Sequence, residues 1–363
     1  MNKIISFPHL GNYYIPIAYL ISNITKCKVL IPPPITKKTL ELGSINSPDY
    51  ICVPFKYNLG NFIEALNNGA NIILQAGGGC RYGYYAELQE QILKDLNYKF
   101  EFINFIEGNH VSIKKIYKFA KKLNPKLNIL KYAYYGLNTI LMIIIMDKLG
   151  KYSRENMGFE IEKNIFIKTE SQFLTTLKRK KHNPIDIIFT YYKYKNKFKK
   201  IKINKPQNCL KVGIVGELYS IMEPYCNNNM EIKLAKYGIE VHRFTTLTYL
   251  LLKKKRNINR LLKKGKDYIK YHLGADATES IVISKELAEL GYDGIIHLKS
   301  FGCTPEINAM PILERISNEY NIPIIYFSFD TGRSDVSIET RLEAFYDMMA
   351  RKKQIESIKE KSL

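Results

Sequence analysis

The sequence predicts an α/β protein of two open domains, each with a mostly parallel, Rossmann- or flavodoxin-like sheet, and a site in the cleft between them. Two observations support this prediction. In both halves of the chain, short apolar segments alternate with helical patterns of about 10 to 15 residues, which is typical of βαβ units. The length of 363 residues suits two domains, and the apolar fraction of 46% is that of a globular protein.

The first half contains four predicted strands separated by helical patterns. They are KIISF at 3–7, CKVLIP at 27–32, NIILQA at 71–76 and FEFINF at 100–105. Residues 111–150 have a helical pattern. We assign residues 1–125 to an N-terminal α/β domain and residues 126–207 to a helical and basic linker region.

The second half repeats the same alternation and forms a predicted C-terminal α/β domain over 208–363. Its strands are KVGIVGE at 211–217, EVHRF at 240–244, YDGIIHL at 292–298 and IPIIYFSF at 322–329. Helices are expected near 229–237, over a long basic stretch at 247–272, and at 279–290, 306–320 and 336–353.

The formal net charge of +21 is concentrated in two segments. Residues 178–205 and 253–270 together carry +18 of it, with lysines scattered among Asn, Ile and Tyr. We interpret both segments as solvated basic surface, with contact to an anionic partner or to the phosphates of coenzyme A as the alternative. Because no nucleic-acid-binding motif accompanies the charge, no nucleic-acid partner is expected.

The chain is expected to be cytoplasmic and without a membrane span. The N-terminal residues MNKIISFPHLGNYY lack the apolar core of a signal peptide. The most apolar segment, TILMIIIM at 139–146, is shorter than the roughly 20 residues that cross a bilayer. The six cysteines lie far apart with no CxxC pair, so no disulfide framework or zinc ribbon is expected.

Three cysteines stand where α/β domains place functional groups, at the carboxyl ends of strands. Cys80 follows NIILQAGGG, and Cys303 follows DGIIHLKSFG. Cys52, between SPDYI and VPFKYNLGNF, is also interpreted as lying between a strand and a helix. A cysteine at a helix N-terminus favours the thiolate, because the helix dipole and free N–H groups stabilise negative charge. The other three, Cys27, Cys209 and Cys226, are expected to lie apart from the site.

Three such cysteines from two domains indicate a soft-metal site, since thiolates hold iron–sulfur clusters. A cubane cluster held by three cysteines keeps one iron open to water or substrate, as catalytic metal sites do. Buried structural cysteines remain the alternative at this point.

Other polar residues near these positions have two interpretations each. Arg81 is a candidate for contact with an anionic substrate or cluster, or is a solvent-facing residue. The same two interpretations apply to Lys56. Glu306 is a candidate catalytic residue, but helix capping is favoured because acids are common in a first helical turn. Glu217 hydrogen-bonds a ligand or caps a helix. Arg341 and Glu343 on the last helix are interpreted as a surface or helix-capping pair, whereas the family resemblance given below favours docking of that helix near the cleft.

Taken in order, several motifs resemble the 2-hydroxyacyl-CoA dehydratase family. In the C-terminal half they are KVGIVGELYSIMEPYCNNNM, FGCTPEINAMPILERI and IPIIYFSFDTGRSDVSIETRLEAFYDMM. Upstream, ISFPHLGNYYIPIAYLI, ICVPFKYNLGNF and GGGCRYGYYAELQEQIL fit the family's first domain. The resemblance covers most of the chain outside 125–205. Relatives often carry Asp-Glu after the last strand, whereas this chain has Asp330-Thr331-Gly332, so it is more similar to the activase-related branch.

The resemblance implies a [4Fe-4S] cluster bound by Cys52, Cys80 and Cys303 between two α/β domains. It further implies an ATP-dependent activator protein that injects one low-potential electron, and reduction of an acyl-CoA thioester to a ketyl radical that loses its hydroxyl group. The chain would then be a lyase or a reductase, and a homo- or heterodimer is open. The alternatives are a non-catalytic electron-transfer subunit with the same cluster and a cluster-free α/β binding protein.

Overall fold

The computed structural model describes residues 2–77, 85–107, 110–179, 182–252, 254–332 and 335–361. The chain divides into two compact units. The first comprises residues 1–145 and 174–190, and the second comprises residues 146–173 and 191–363. Each unit contains one four-stranded, all-parallel sheet. The predicted fold class, two parallel-sheet α/β domains, is therefore confirmed.

The sheet of the first unit has the strand order β2-β1-β3-β4. Its strands are β1 (Ile4–Ser6), β2 (Lys28–Val29), β3 (Ile72–Gln75) and β4 (Glu101–Asn104). A separate antiparallel pair follows, β5 (Ile106–Glu107) with β6 (His110–Val111). Because β1 lies between β2 and β3, the direction of winding reverses there, and the carboxyl ends of β1 and β3 flank a topological switch point.

Helices cover both faces of this sheet. They are α1 (Tyr14–Thr25), α2 (Lys37–Ile45), α3 (Val53–Asn67), α4 (Tyr85–Asp95) and α5 (Ile113–Leu123). On one face Ile5, Ile72 and Leu74 pack with residues of α1 and α5. On the other face Ile73 packs with residues of α3 and α4. Since both faces are buried, the strands have the continuous apolar pattern by which they were predicted.

Two glycines allow α2 and α3 to pack at backbone contact. A Cβ atom on Gly43 would lie 1.8 Å from the carbonyl oxygen of Lys56, and one on Gly60 would lie 1.9 Å from that of Thr39. No side chain fits at either distance. The two glycines therefore allow the close approach that sets the position of α3 against α2, and Cys52 stands at the start of α3.

The segment from 111 to 199 is helical but broken. After α5 come α6 (Ile129–Asn156), a 3₁₀ turn at Met157–Phe159, α7 (Ile165–Leu177) and α8 (Pro184–Lys199). The helical pattern predicted over 111–150 is interrupted at 124–128, where Pro125 cannot donate a backbone hydrogen bond.

By length and composition, one helical stretch in the described part of the chain could cross a membrane. It spans Ile129–Phe159, and a third of its most apolar window is buried inside the protein. Met142, Ile143 and Leu149 on this stretch are among the buried residues. The absence of a membrane span stays a prediction.

The sheet of the second unit has the order β10-β9-β7-β8. Its strands are β7 (Leu210–Gly216), β8 (Ile239–Arg243), β9 (Gly294–Ser300) and β10 (Ile324–Phe329). If the four strands of each sheet are numbered along the chain, both sheets have the same order, 2-1-3-4. The switch point lies between β7 and β9, so Cys303 after β9 and Cys80 after β3 follow topologically equivalent strands.

Helices again cover both faces. They are α9 (Leu218–Met222), α10 (Met230–Ala235), α11 (Leu247–Leu252), α12 (Lys254–Lys264), α13 (Ala277–Glu289), α14 (Thr304–Tyr320) and α15 (Asp335–Lys361). On one face Leu287 of α13 packs on Val215 and Ile295. A Cβ atom on Gly294 would meet Phe345 and Met349 of α15 on the other face.

The prediction of one long basic helix over 247–272 is wrong at its end. The helical residues stop at Lys264, and the chain turns at Gly265, whose carbonyl oxygen accepts from the backbone of Tyr268 and Ile269. Glycine is a poor helix former and is common where helices end.

Candidate functional site

Cys303 lies at the carboxyl edge of the second sheet, at the start of α14. After β9 ends, its backbone N–H donates to the carbonyl oxygen of Ser300 at 3.1 Å, which closes a tight turn. The residue then occupies the N-cap of α14, with Pro305 in the first turn and no hydrogen bond from its side chain to the cap. The side chain is a reduced thiol and is partly buried. An N-cap side chain faces backbone N–H groups of the first turn, which favour negative charge on its terminal atom.

A buried hydrogen-bonded triad lies behind this turn. Nε2 of His297 on β9 is 2.7 Å from Oε2 of Glu306 on α14, and Oγ of Ser280 on α13 donates to Oε1 of Glu306 at 3.1 Å. His297 and Glu306 have no exposed side-chain surface. Glu306 lies in the first turn of α14, as the capping interpretation expected, but the N-cap is Cys303 and the Glu306 side chain makes these interior contacts instead. Both carboxylate oxygens are directed into the interior, where they join β9 to the two helices that cover it.

Lys299 lies two residues beyond His297 on the same face of β9, because side chains alternate along a strand. It is 4% exposed. Its Nζ donates to the carbonyl oxygen of Phe301, inside the turn that carries Cys303, at 3.5 Å. Burial lowers the pKa of Lys299, and the negative charges of Cys303 and Glu306 oppose that shift.

Glu217 follows β7 at the same edge, beside the switch point. Its backbone N–H donates to the carbonyl oxygen of Leu298 on β9 at 2.8 Å. Its carboxylate caps α9 by accepting from the backbone N–H groups of Tyr219 and Ser220 at 2.8 and 2.9 Å, and from Oγ of Ser220 at 2.6 Å. Burial raises the pKa of Glu217 from 4.5 to about 7, although these hydrogen bonds oppose the shift. A carboxyl group with such a pKa exchanges a proton near neutral pH.

In the first unit, Cys52 occupies the N-cap of α3, again with proline, Pro54, in the first turn and no hydrogen bond from its side chain to the cap. The interpretation that a strand precedes Cys52 is wrong. The preceding element is α2, and residues 46–52 form turns in which Tyr50 has a φ of +58°. The short apolar pair Tyr50-Ile51 has no strand to pair with in the described part of the chain. Cys52 and Cys303 nevertheless share one local geometry, a Cys-X-Pro sequence at a helix start.

A buried amide pair holds the end of β3, just before the glycine-rich segment of the sequence. Gln75, the last residue of β3, accepts from the backbone N–H groups of Ala76 and Gly77 through Oε1 at 3.0 and 3.1 Å. Its Nε2 donates to Oε1 of Gln89 on α4 at 2.9 Å. The predicted site residues Cys80 and Arg81 lie outside the described residues. The described residues Ala76 and Gly77 follow β3 directly.

The remaining cysteines have local partners. Cys27 contacts the carbonyl oxygen of Thr25, and Cys209 contacts Glu240 at the start of β7, where burial and then Glu240 raise its pKa. Cys226 was expected to lie apart from the site, but it lies close to Glu217. It is buried with its Sγ 3.9 Å from Oγ of Ser220, the residue that donates to Glu217, so it lies close behind the carboxyl edge of β7.

Arg341 docks the last helix onto the sheet. Its Nη2 donates to the carbonyl oxygen of Tyr326 at 2.7 Å, and its guanidinium lies 4.6 Å from the ring centre of Phe327. Both partners are on β10. Of the two interpretations given to Arg341, these contacts favour docking over a purely surface position. The backbone of Lys56 contacts Gly43 at the crossing of α2 and α3.

Within the part of the chain that the structure describes, no group of three or more His, Cys, Asp or Glu side chains is arranged to hold a metal ion. The donor chemistry of the predicted ligands fits a cluster in other respects. Cys52 and Cys303 are reduced thiols, neither is fully buried, and each stands at a helix start that favours the thiolate.

Comparison with known proteins bears on the second unit. Residues 277–349 match the family model of the 2-hydroxyglutaryl-CoA dehydratase D-component. This match supports a relation of the segment to the 2-hydroxyacyl-CoA dehydratase family. The segment runs from α13 to α15 and includes Ser280, His297, Lys299, Cys303 and Glu306. Curated proteins include no match to the chain.

Within the dehydratase-family segment, sequence reasoning found Cys303 and Glu306 but missed His297 and Lys299. In the run GIIHLKS these two ionisable residues stand among mostly apolar neighbours, and all seven residues of the strand are buried. Polar side chains at alternate positions of a doubly buried strand are the signal that could have indicated them.

Proposed function

We propose that this chain is an iron–sulfur component of the 2-hydroxyacyl-CoA dehydratase type. In this proposal Cys52, Cys80 and Cys303 bind one [4Fe-4S] cluster, and an ATP-dependent activator protein supplies one low-potential electron. The substrate class is an acyl-CoA thioester that is dehydrated or reduced. One observation carries the proposal: Cys303, inside the segment that matches the dehydratase family, is a reduced thiol at the N-cap of α14, directly after β9.

Three further observations support the ligand set. Cys52 has the same local geometry at the start of α3. Cys80 follows β3, the strand that is equivalent to β9 in the first sheet. The chemistry of three thiolates suits iron and leaves one iron site for water or substrate. When bound, the cluster would supply single-electron transfer, the chemistry for which proteins use such cofactors.

The chain's own residues have supporting roles in this proposal. The contacts of Glu306 with His297 and Ser280 hold the start of α14, and so the Cys303 thiol, in a fixed position. Gln75 fixes the backbone of Ala76 and Gly77, which precede Cys80 in the sequence. Glu217, with a pKa of about 7, is placed at the sheet edge to hold or release a proton as a substrate hydroxyl group leaves.

The test is iron and sulfide analysis of protein purified without oxygen. We expect about four iron and four sulfide per chain and the visible absorbance of a cluster. Single Cys→Ser changes at 52, 80 and 303 should each lower the iron content. Cys27→Ser should not, since the Cys27 thiol contacts the carbonyl oxygen of Thr25 between α1 and β2. A wild-type protein without iron, or equal iron in all four variants, would contradict the proposal.

A second experiment separates an enzyme from an electron-transfer subunit. The iron-loaded protein is mixed with an ATP-dependent activator, ATP and a panel of 2-hydroxyacyl-CoA thioesters. Turnover only in the complete mixture supports a dehydratase. Reduction of the protein without turnover of any thioester indicates the electron-transfer role.

A further inference from the structure

Lys299 is a buried cation whose surroundings do not compensate its charge. The side chain is 4% exposed, and its hydrogen bond to the carbonyl oxygen of Phe301 is long at 3.5 Å. Among the residues described, it makes no ion pair with a carboxylate. Burial of an ammonium group is unfavourable unless an anion or good acceptors replace its water.

Two acidic groups, Cys303 and then Glu306, act on the pKa of Lys299 through their negative charge and oppose the effect of burial. Glu306 already has His297 and Ser280 as partners, one on each oxygen. Cys303 is therefore the group whose negative charge Lys299 is placed to balance. The contact with Phe301 positions the ammonium within the same turn, two residues before Cys303.

Other lysines of this unit show what a structural ion pair looks like. Nζ of Lys353 lies 2.8 Å from Oδ1 of Asp293, and Nζ of Lys205 lies 2.9 Å from Oε2 of Glu240. Both side chains are also more exposed, at 32% and 24%. Lys299 is more deeply buried, and no carboxylate lies within such a distance of its Nζ in the described part of the chain. A buried cation with these surroundings is expected where an anionic ligand binds.

We propose that Lys299 is the counter-charge for the anionic iron–sulfur cluster that Cys303 ligates. This inference rests on the proposed function. A cluster with thiolate ligands is anionic, and a cation fixed beside it favours the reduced form, since local charge is one of the properties that set a cluster's reduction potential. Lys299 thus raises the potential at which the protein accepts the activator's electron.

The experiment compares Lys299→Met, Lys299→Arg and Lys353→Met with the wild-type full-length chain. In metal-free protein, we expect the melting temperature of Lys299→Met to equal or exceed that of the wild type, because methionine removes an uncompensated buried charge. Lys353→Met should lower it, because Asp293 loses its cationic partner and keeps only the backbone N–H of Lys211. A drop for Lys299→Met as large as that for Lys353→Met would show a structural lysine and overturn the inference.

The second measurement is the midpoint potential of the reconstituted cluster, followed by the reduced-cluster electron paramagnetic resonance signal. Lys299→Met should shift it to a more negative value or lose iron while the fold is kept, and Lys299→Arg and Lys353→Met should retain the wild-type value. An unchanged potential in an iron-loaded Lys299→Met protein overturns this inference alone. A wild-type protein that binds no iron overturns the proposed function and this inference with it.

Discussion

Nε2 of His297 lies 2.7 Å from Oε2 of Glu306, and neither side chain is exposed to solvent. With Ser280 on the other carboxylate oxygen, this contact connects one strand and two helices of the second unit at a single carboxylate. The three elements meet next to the turn that carries Cys303. A polar triad buried in this way fixes a local geometry that apolar packing alone would leave less well defined.

We expect Glu306→Ala to destabilise the protein by about 3 kcal/mol, because His297 and Ser280 would lose their buried partner. The free energy of unfolding is measured by urea denaturation. Glu162→Ala, which removes an exposed carboxylate of the same unit, is the control and should change it by less than about 0.5 kcal/mol. Similar values for the two variants would contradict the role of the triad.

A second prediction concerns the crossing of α2 and α3. Gly43→Ala places a methyl group 1.8 Å from the carbonyl oxygen of Lys56, so the helices must separate, and we expect a loss of about 2 to 3 kcal/mol in unfolding free energy. At Gly136, in the interior of α6, an added Cβ atom would have no neighbouring atom within 4 Å among the described residues. Gly136→Ala should therefore stabilise by about 0.5 to 1 kcal/mol. The same sign for both variants would contradict the close packing.

The raised pKa of Glu217 predicts a pH-dependent stability. Because its pKa rises from 4.5 to about 7 on folding, the native state holds the proton more tightly than the unfolded state does. The stability that Glu217 contributes is complete below about pH 4.5 and is lost as the pH rises through about 7. After allowance for partial exposure, the loss is about 2 kcal/mol.

Glu217→Gln cannot take up or release this proton. The stability of the wild type relative to Glu217→Gln should therefore fall between about pH 4.5 and about pH 7, as urea denaturation at each pH would measure. Glu162→Gln controls for the loss of one carboxyl group at an exposed position. A constant difference between the wild type and Glu217→Gln over this range would show that the Glu217 carboxyl does not titrate there.

The amide pair at the end of β3 gives the last prediction. Gln75→Leu removes the acceptor of the Ala76 and Gly77 N–H groups and leaves Gln89 without its donor, so we expect a loss of about 1 to 3 kcal/mol. If the loop binds the cluster through Cys80, iron content should fall as well. Gln91→Leu, on the exposed side of α4, should affect neither. Normal stability and iron in Gln75→Leu would contradict a role in holding the loop.

Much of the fold was predictable because it depends on local patterns. Strands buried on both faces are short apolar runs, and the runs around Ile73 and Ile295 were placed within two residues of the observed strands. Glycine and proline mark the breaks, as Pro125 and Gly265 do, although the helical pattern on each side concealed both. The prediction of a strand before Cys52 was wrong because a pair of apolar residues occurs in turns as well as in strands. Only a neighbouring strand that pairs with it would distinguish the two.

The sequence by itself determined the fold class, the position of Cys303 directly after a strand, and a resemblance that the match at residues 277–349 supports. Only the tertiary structure decided that Glu306 is directed inward to His297 and Ser280, and that Lys299 is buried with its ammonium group at the carbonyl oxygen of Phe301. The physical reason is that periodicity along one strand or helix sets which face is apolar. The partner of each buried polar side chain is set by the packing of α13 and α14 on β9, which brings together residues distant in sequence.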